Sequence, residues 1–376
     1  MNIFDVVVIG GGVIGMAMAI RAKRLGQSVG LVERDSIAKG ASIRNFGMIW
    51  PVGQPEGRAR KIALRSRDIW LELAQIGNIW IKPCGSLHVA HAVDESEVLK
   101  EFSEKSRHGN FQCEWLDEKS TLNACPSLNP KGLVGALFSK EECAVDPPQA
   151  IRAMEAFIKD SGIRIFRGSP AIQAANGVIR LSDGSSIPTG KTVIATGTDL
   201  NSLYPKELAN LNLKITKLQM LRTNPMPAEF KFEPHLAFGL TLLHYESFAT
   251  CPSLPALRQR LCNEYPEHIR NGIHVMASAN QQKEIIIGDS HVYGSEITPF
   301  DSQHIESLIL SYLKQRLALP DTSISVRWHG EYAKSSSNSI ICKEISKSVW
   351  TALAPGGCGM TMCHGWAEEL WNEVIK

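Results

Sequence analysis

The sequence predicts an α/β fold whose two domains are each assembled from separate stretches of the chain. The chain opens with a strand, a glycine-rich turn, a helix and a second strand, which is how a parallel sheet begins. Two apolar strands that end in small residues, VIATG at 193–197 and VWTALAPGG at 349–357, follow much later. Segments of mixed strand and helix character lie between them, so the chain leaves the first domain and returns to it twice.

The composition indicates a globular protein that acts on a small molecule. The chain has 376 residues, of which 44% are hydrophobic and 21% charged, with a net charge of +2. Its basic residues are scattered, so we expect neither nucleic acid nor an anionic membrane surface as a partner. The nine cysteines form no CxxC pair, which favours a reducing cytoplasm over a disulfide framework. The apolar run at 6–20 is too short for membrane insertion.

Hydrophobic periodicity predicts the elements of the first part of the chain. A buried strand leads into a helix, and a second strand ends at Glu33. A long helical pattern, a short strand and a charged helix then form an α+β insertion. These predicted elements are DVVVIG at 5–10, the helix at about 13–25, SVGLVE at 28–33, the helix at about 56–76, GSLHVAHA at 85–92 and DESEVLKEFSEKSRHG at 94–109.

The second part of the chain shows a hairpin and a closing helix. A helix with prolines at its start precedes a strand, and Asp183 and Gly184 mark a hairpin turn. Long strands then alternate with helices until a last strand, a run of glycines and an apolar helix. These predicted elements are DPPQAIRAMEAFIKDSG at 146–162, IRIFRG at 163–168, GVIRLSDGSSI at 177–187, KTVIATG at 191–197, LKITKLQMLRT at 213–223, helices near 254–265 and 301–317, EIIIGDSHVYG at 284–294 and VWTALAP at 349–355.

These elements divide the chain into two discontinuous domains. We expect a Rossmann-like dinucleotide-binding domain from 1–78, 145–212 and 324–376. The remaining stretches, 79–144 and 213–323, predict an α+β substrate domain built on an antiparallel sheet.

The first turn has the pattern of a dinucleotide site. Gly10, Gly12 and Gly15 follow a strand and open a helix. Their roles would be the tight turn, the close approach of backbone N–H groups to a pyrophosphate, and helix–strand packing. Glu33 ends the second strand, where its carboxylate can accept both hydroxyls of an adenosine ribose. A carboxylate there repels a 2′-phosphate, so the sequence disfavours NADP.

Two later segments favour FAD over NAD. ATG at 195–197 ends a buried strand in small residues, which would let the chain pass close to a ligand, although a plain strand end remains an alternative. Gly356, Gly357 and Gly359 open the last helix. The unpaired N–H groups at its start favour negative charge, which a reduced flavin ring acquires along its pyrimidine edge. NAD requires no second helix of this kind.

The order of these motifs resembles a known family. The N-terminal GxGxxG with Glu33, then GAS at 40–42, ATG, and GGCGMT at 356–361 are similar to the D-amino-acid oxidase, glycine oxidase and sarcosine oxidase superfamily of FAD enzymes, over essentially the full length. Longer strings resemble a bacterial branch of these oxidoreductases found alongside phosphonate-degradation genes, which implies oxidation of 2-aminoethylphosphonate or its N-methyl derivative to phosphonoacetaldehyde. These strings are SIRNFGMIWPVGQP, KLQMLRT, GLTLLHY, CPSLPAL, GIHVMAS, GDSHVYG and RWHGEYAK.

The resemblance implies that the segment after GAS wraps beneath the isoalloxazine ring. Gly47 would permit close backbone approach, Met48 and Trp50 would give apolar contact, and Arg44 or Asn45 would offer polar groups. An ordinary crossover loop remains the alternative. We expect noncovalent FAD, since the sequence around Cys358 does not match the sarcosine oxidases with a thioether link. The expected cofactor residues are Gly10, Gly12, Gly15, Glu33, Arg34, Ser42, Arg44, Asn45, Phe46, Gly47, Met48, Ile172, Ala195, Thr196, Gly197, Gly356, Gly357, Gly359, Met360 and Thr361.

The implied reaction moves a hydride from the carbon beside a neutral amine nitrogen to flavin, followed by imine hydrolysis. Dioxygen or another acceptor would then reoxidise the flavin. Amino-acid-oxidising relatives grip an α-carboxylate with an arginine in a GLRP-like strand. Here Tyr332 stands at that place and Lys334 lies two residues on, on the same strand face, which favours a phosphonate. The residues expected to hold the small anionic amine are Tyr332, Lys334, His244 and Tyr245, with Arg44 or His291 in support.

Several alternatives stay open at this point. Lys334 could be solvated, His244 and Tyr245 could cap a strand end, and His291 could be a turn histidine. His88 and His91 fall on opposite faces of a strand, so we expect no metal site. The substrate could instead be glycine, sarcosine or a D-amino acid, for an oxidase or a dehydrogenase. The chain could also be a flavoprotein component that passes electrons to a soluble partner, or a protein that uses FAD structurally.

Overall fold

The computed structural model describes residues 3–106, 111–294, 297–335 and 340–375. The strands, in chain order, are β1 (Phe4–Ile9), β2 (Val29–Glu33), β3 (Met48–Ile49), β4 (Ile81–Pro83), β5 (Ser86–Ala90), β6 (Cys113–Asp117), β7 (Gly135–Ser139), β8 (Cys143–Val145), β9 (Arg164–Arg167), β10 (Ala171–Ala175), β11 (Val178–Leu181), β12 (Ser186–Ile194), β13 (Lys214–Pro225), β14 (His235–Phe238), β15 (Met276–Ala279), β16 (Glu284–Gly288), β17 (Val292–Gly294), β18 (Ile324–Lys334), β19 (Glu344–Ser346) and β20 (Val349–Thr351). The helices are α1 (Val13–Arg24), α2 (Arg58–Gly77), α3 (Val93–Ser106), α4 (Glu118–Ala124), α5 (Pro147–Asp160), α6 (Pro205–Ala209), α7 (Leu254–Glu264), α8 (Pro266–Arg270), α9 (Gln303–Lys314) and α10 (Gly359–Glu373).

The first sheet has a parallel centre, as the βαβ start predicts. Its parallel strands run in the order β9, β2, β1, β12 and β20. The central strands are buried on both faces, which is why they read as continuous apolar runs rather than alternating ones. The predicted hairpin extends this sheet, because β11 pairs antiparallel with the first half of β12 across a turn in which Gly184 has φ of 86°.

The second sheet is antiparallel apart from one pair of strands. Its order is β17, β13, β16, β15, β14, β5, β7 and β6, and only β14 and β5 run parallel among the described strands. This sheet collects strands from both stretches predicted to form the substrate domain. The prediction of an α/β fold with a discontinuous α+β domain on a largely antiparallel sheet is therefore confirmed.

One predicted boundary differs from the structure. We predict that 324–376 belongs to the first domain, but β18 pairs with β13 of the second sheet, from Lys214 opposite Lys334 to Thr223 opposite Ile324. The chain returns to the first sheet only at β19 and β20. The sequence of one strand does not indicate which sheet the strand joins, because its possible partner strands in both sheets are distant in sequence.

The two largest hydrophobic cores lie one against each large sheet, and a small third sheet links the two sheets. This sheet has the order β3, β8, β4. The strand β3, which follows the predicted dinucleotide-binding segment, therefore pairs with a strand at the end of the first insertion. Trp50 and Val52 pack into the core of the second sheet rather than the first. The two domains are therefore joined immediately beside the glycine-rich turn.

The last helix is anchored across the first domain by two indole groups. Trp70 of α2 donates its ring N–H to the carbonyl of Met360 at 2.9 Å, and Trp371 of α10 donates to the carbonyl of Met18 in α1 at 3.0 Å. Both tryptophans are buried, so these hydrogen bonds fix α10 against the helix of the dinucleotide turn. None of the helices in the described ranges has the length and hydropathy that crossing a membrane requires.

Candidate active site

One cavity of about 920 Å³ is lined by residues of both sheets. Sites for small molecules and cofactors run from about 300 to 1,000 Å³, so this cavity is large for a single small ligand. The four residues predicted to hold substrate line it, and so do most residues predicted for the cofactor. Those cofactor residues are Gly10, Gly12, Glu33, Arg34, Ser42, Arg44, Asn45, Phe46, Ala195, Thr196, Gly197, Gly356, Gly357, Gly359 and Met360.

Gly10 and Gly15 lie where a larger side chain would not fit. Gly10 has φ of 116°, and a Cβ added to it would lie 2.2 Å from the carbonyl oxygen of Ala195. Gly15 does not line the cavity, and a Cβ there would lie 1.8 Å from the carbonyl oxygen of Gly10. Gly10 therefore lets β1 and β12 end side by side, while Gly15 serves the contact between helix and strand.

Glu33 lies against the glycine turn. Its carboxylate accepts hydrogen bonds from the backbone N–H groups of Gly11 at 2.7 Å and Asp35 at 3.0 Å. These two bonds fix the side chain at the cavity wall, where its remaining lone pairs are available to ribose hydroxyls. Arg34 lines the same end of the cavity but forms an ion pair with Asp199 at 2.8 Å, so its charge is already partly neutralised.

The side chains of Ser42 and Asn45 form hydrogen bonds with backbone groups around the glycine-rich turn. The hydroxyl oxygen of Ser42 accepts from the N–H of Val13 at 2.9 Å, at the start of α1. The Asn45 side chain donates to the carbonyls of Ala41 and Ser42 at 3.0 Å and accepts from Gly47 at 2.9 Å. Asn45 therefore folds its own loop, and its amide is engaged there rather than free for the flavin ring.

Gly47, Met48 and Thr361 lie behind the cavity wall and do not line the main cavity. Gly47 faces β8, since a Cβ there would lie 2.1 Å from the carbonyl oxygen of Val145. Met48 and Thr361 line a much smaller neighbouring cavity of about 70 Å³. The Thr361 hydroxyl accepts from the N–H of Trp50 at 3.0 Å, which ties the loop after the dinucleotide turn to α10.

Ile172 is predicted to contact the cofactor, but it lies away from the cavity. Its side chain is 57% exposed and does not line the cavity, whereas its neighbours Pro170 and Ala171 do. Ala171 is buried, whereas Ile172 and Gln173 are both exposed, at a shift in the register between β10 and β11.

The C-terminal glycines lie beside the end of β18. Lys334 forms an isolated β-bridge with Pro355, and a Cβ added to Gly357 would lie 3.5 Å from the Tyr332 hydroxyl. Cys358 accepts a hydrogen bond from the Gln54 amide at 3.4 Å. The strand with the predicted substrate residues thus ends directly at the turn that opens α10.

Aromatic and imidazole rings form the other wall of the cavity. The ring centroids of His244 and Tyr245 are 5.0 Å apart, and Tyr245 lies 6.1 Å from Trp50. Tyr332 lies 6.4 Å from His291. Burial raises the pKa of Tyr245 and Tyr332 well above the ordinary value of 10, so both phenols stay neutral and can donate hydrogen bonds.

His274 and Asp289 also belong to this wall and are not among the residues predicted for the site. They exchange backbone hydrogen bonds, at 2.9 Å and 3.2 Å, just where the predicted strand EIIIGDSHVYG breaks after Gly288. Both side chains line the cavity. The strings GIHVMAS and GDSHVYG contain them, but their pairing depends on the register between distant segments, which no local pattern reveals.

The structure also brings three histidines together, although the sequence predicts no metal site. The ligand nitrogens of His244, His274 and His291 all lie within 4.8 Å of one another. The side chain of His244 is exposed to the cavity, but desolvation by the surrounding protein lowers its pKa to about 4, with a further contribution from Lys334. Burial also lowers the pKa of His274 and His291 well below 6.5, assisted by the neighbouring imidazoles. His88 and His91, by contrast, do not join this cluster.

The cavity suits FAD by its shape and its donors. Helices α1 and α10 both begin at it with no acidic residue in the first turn, so their N–H groups and dipoles favour the charged parts of a dinucleotide. A Cβ added to Gly197 or Gly356 would meet no atom within 4 Å, which leaves open space where a ligand can lie against the backbone.

Comparison with known proteins identifies the family. The family described as FAD dependent oxidoreductase matches residues 5–372. Glycine oxidase of Bacillus licheniformis is 25% identical over 212 residues, 54% of this chain and 56% of that protein. The bifunctional protein ThiO/ThiG of Nostoc sp. is 27% identical over 230 residues, 58% of this chain and 34% of that protein. These matches span from about a third to a little over half of the relatives' own lengths.

Solved structures show the same fold. Glycine oxidase from Bacillus cereus superposes with a TM-score of 0.77 at 19% identity, covering 98% of this chain and 95% of the other. Glycine oxidase from Geobacillus kaustophilus gives 0.78 at 17% identity, covering 100% and 95%. The predicted cofactor, FAD, is confirmed by the family match. The chain belongs to the DAO family of FAD-dependent oxidoreductases.

Proposed function

We propose that the protein oxidises a small amine that also carries an anionic group. FAD supplies the hydride acceptor for the carbon beside the amine nitrogen. One observation carries the proposal: the glycine turns of both chain ends and the side chains of Tyr332, Lys334, His244 and Tyr245 line a single cavity.

The residues of this cavity have separate tasks in such a reaction. Lys334 provides a positive charge that can hold the substrate anion. The neutral phenols of Tyr245 and Tyr332 can donate hydrogen bonds to the same anion or orient the amine. Trp50 is buried behind Tyr245, with 6.1 Å between the ring centroids, and this packing limits the access of water from that side. Holding the substrate in one orientation is the main contribution that the protein makes to a hydride transfer.

An α-amino carboxylate such as glycine or sarcosine is the first candidate substrate. It is supported by the relatives, since a glycine oxidase occurs both among similar sequences and among similar structures. Arg44 lines the cavity, and its backbone carbonyl accepts from the Trp328 indole at 3.2 Å, so the base of this arginine is held beside β18. A carboxylate could be bound by Arg44 in place of the missing strand arginine.

A phosphonate such as 2-aminoethylphosphonate or its N-methyl form is the second candidate. It is supported by Tyr332 and Lys334 on β18, where a carboxylate-binding arginine is expected from the resemblance. The cavity also holds several imidazoles near Lys334. A tetrahedral group with three oxygens can use more donors than a planar carboxylate can, and this wall offers donors from several directions.

A side-by-side substrate assay tests the proposal. Glycine, sarcosine, D-alanine, 2-aminoethylphosphonate and its N-methyl derivative are each added to the FAD-loaded protein, and peroxide formation and flavin bleaching without oxygen are recorded. The proposal expects bleaching by at least one anionic amine. Faster turnover of the carboxylates would select the first candidate, and faster turnover of the phosphonates the second. No bleaching by any of them would refute the proposed activity.

The same assay addresses the electron acceptor. Bleaching by substrate with little oxygen consumption would indicate a dehydrogenase that passes electrons to a soluble partner.

All nine cysteines are free thiols in the structure. This agrees with the reducing cytoplasm that we predict, and the location itself stays a prediction.

A further inference from the structure

The cluster of His244, His274 and His291 has polar atoms that the protein leaves without partners. His274 is 4% exposed and Asp289 is 3% exposed. Neither ring nitrogen of His274 has a hydrogen-bond partner among the described residues, and neither does Oδ1 of Asp289. Leaving a buried polar group unpaired is destabilising. Several such groups side by side indicate that a ligand completes them.

The Asp289 carboxyl lies where it could contact a cation bound by the histidines. Asp289 Oδ1 lies 3.1 Å from Nε2 of His274 and 3.5 Å from Nδ1 of His291, yet Oδ1 forms no hydrogen bond with the described residues. A cation held by the imidazole nitrogens would give this buried oxygen the partner that the protein does not supply. Lys334 is close enough to oppose positive charge on the rings, so the Asp289 carboxylate has to balance the charge of the ion.

The histidines present the ligand atoms that transition-metal ions prefer. Each neutral imidazole has one nitrogen with a free lone pair, and that nitrogen can bind a metal ion. Nδ1 of His291 lies 3.3 Å from the carbonyl oxygen of Gly272, which favours a proton on Nδ1 and leaves Nε2 as the ligand. Metal-binding histidines commonly donate their second nitrogen to a carbonyl or carboxylate in this way.

We propose that His244, His274 and His291 bind one divalent transition-metal ion, of the class of Zn²⁺, with Asp289 as the neighbouring carboxylate. Imidazole nitrogens select zinc and similar ions over magnesium or calcium, which prefer oxygen ligands. Three protein ligands leave one position open, as in catalytic zinc sites. The cavity lies on the open side, because all three histidines line it.

The geometry requires a small closing movement. Zn–N bonds are about 2.0–2.1 Å long, which places tetrahedral ligands roughly 3.4 Å apart. The nitrogens of the cluster lie within 4.8 Å of one another, so a shift of about 1 Å closes them on an ion. His244 can make this shift, since its side chain is exposed to the cavity. Its ring already lies 3.8 Å from that of His274, centroid to centroid.

The open position assigns the ion a role in substrate binding. A metal ion held beside Lys334 would bind an oxygen of the substrate's carboxylate or phosphonate, while Lys334 contacts another. This role rests on the proposed function, whereas the metal site itself does not. The ion acts here as an anchor and takes no electrons.

Metal content of the untagged, FAD-loaded protein tests the site. The protein is dialysed against Zn²⁺ of known concentration, and zinc and flavin are then quantified in the same sample. We expect about one Zn²⁺ per FAD, and at least a tenfold loss of zinc affinity in His244→Gln and in the double variant His244→Gln/His291→Gln. His304→Gln is the control, because His304 lies on the exposed side of α9, and it should bind zinc normally.

Absence of stoichiometric zinc from the folded protein, or unchanged zinc binding in the double variant, would overturn the site. Zinc removal by a chelator should raise KM for the anionic amine at least tenfold with FAD retained, and added Zn²⁺ should restore it. An unchanged KM would overturn the anchoring role. A protein that binds zinc but oxidises no amine would refute the proposed function and leave the metal site standing. Raised KM in His244→Gln without any bound metal would instead assign the cluster to direct contact with the substrate amine.

Discussion

The backbone N–H of Trp50 donates to the side-chain oxygen of Thr361 at 3.0 Å, and both groups are buried. This hydrogen bond joins residues 311 positions apart. It holds the loop that follows the dinucleotide turn against the helix that closes the chain. The wall of the cavity is therefore made by the two ends of the chain together, and each end needs the other for its position.

Replacing Thr361 with valine should lower the free energy of unfolding by about 1–3 kcal/mol, because it leaves the Trp50 N–H buried and unpaired. Chemical denaturation of the FAD-free protein measures this directly. Thr361→Ser keeps the hydroxyl and is the matched control, with a smaller loss expected. Equal stability of Thr361→Val and wild type would show that the hydrogen bond contributes little to joining the chain ends.

Gly10→Ala should abolish FAD binding. It should also lower the free energy of unfolding by more than the backbone strain of an alanine at positive φ does. Alanine at φ of 116° is strained, and its Cβ would lie 2.2 Å from the Ala195 carbonyl oxygen. The control is Gly26→Ala, where φ is 83° and a Cβ would meet no atom within 4 Å. Gly26→Ala should cost only about 1 kcal/mol. Comparable unfolding curves for the two variants would argue against a close approach of β1 and β12.

Glu33→Ala should weaken FAD binding by about ten- to a hundredfold, since hydrogen bonds to charged groups contribute about 1.5–3 kcal/mol each. Fluorescence of released FAD during dilution gives the dissociation constant. Glu33→Gln should fall between wild type and Glu33→Ala, because it retains one acceptor oxygen. A Glu33→Ala protein that stays fully yellow on dilution would remove the reason for assigning this carboxylate to the ribose.

Lys334→Ala should raise KM for the anionic amine by about tenfold or more while leaving the flavin spectrum unchanged, because it removes a charge-assisted contact present throughout the reaction. Lys334→Arg should recover part of the loss, and Lys314→Ala, on the exposed surface of α9, should have no effect. An unaltered KM would mean that the substrate anion binds elsewhere, with Arg44 as the next residue to replace.

The stability of the protein should fall in acid partly through His364. Burial lowers the pKa of this histidine from 6.5 to about 3, where its ring packs 4.8 Å from that of Trp70. Below pH 6.5 the unfolded chain takes up a proton that the folded chain does not. The contribution to stability is thus complete above pH 6.5 and is lost as the pH falls toward 3, with a slope of up to about 1.4 kcal/mol per pH unit.

His364→Phe should therefore show a shallower decline of unfolding free energy between pH 6.5 and 4.5, as measured by denaturation at each pH. The exposed His304→Gln should keep the wild-type slope. Parallel declines in His364→Phe and wild type would show that His364 is protonated without unfolding.

Local patterns predict the parts of the fold that local physics determines. The spacing of Gly10, Gly12 and Gly15 and the position of Glu33 depend on a single βαβ unit, and the hairpin at Gly184 depends on one turn. The start of α10 also follows from its glycines. For these elements, the residues that set the structure are close together in sequence.

The remaining features depend on register between distant segments. Whether β18 joins the first or the second sheet is decided by its long pairing with β13, not by its own composition. The contact between His274 and Asp289 likewise requires the alignment of two separate stretches. Asn45 shows a further limit, since a polar residue in a loop near a ligand can bond to its own backbone just as well as to the ligand.

The most direct test of the account is an anaerobic titration of the FAD-loaded protein with paired amines. Each pair consists of an anionic amine, glycine or 2-aminoethylphosphonate, and a neutral-tailed amine of similar size. We expect one FAD per chain, with bleaching of its visible absorbance by at least one of the anionic amines and not by its neutral counterpart. Failure to take up FAD at micromolar concentration, or equal bleaching by the neutral amines, would contradict it.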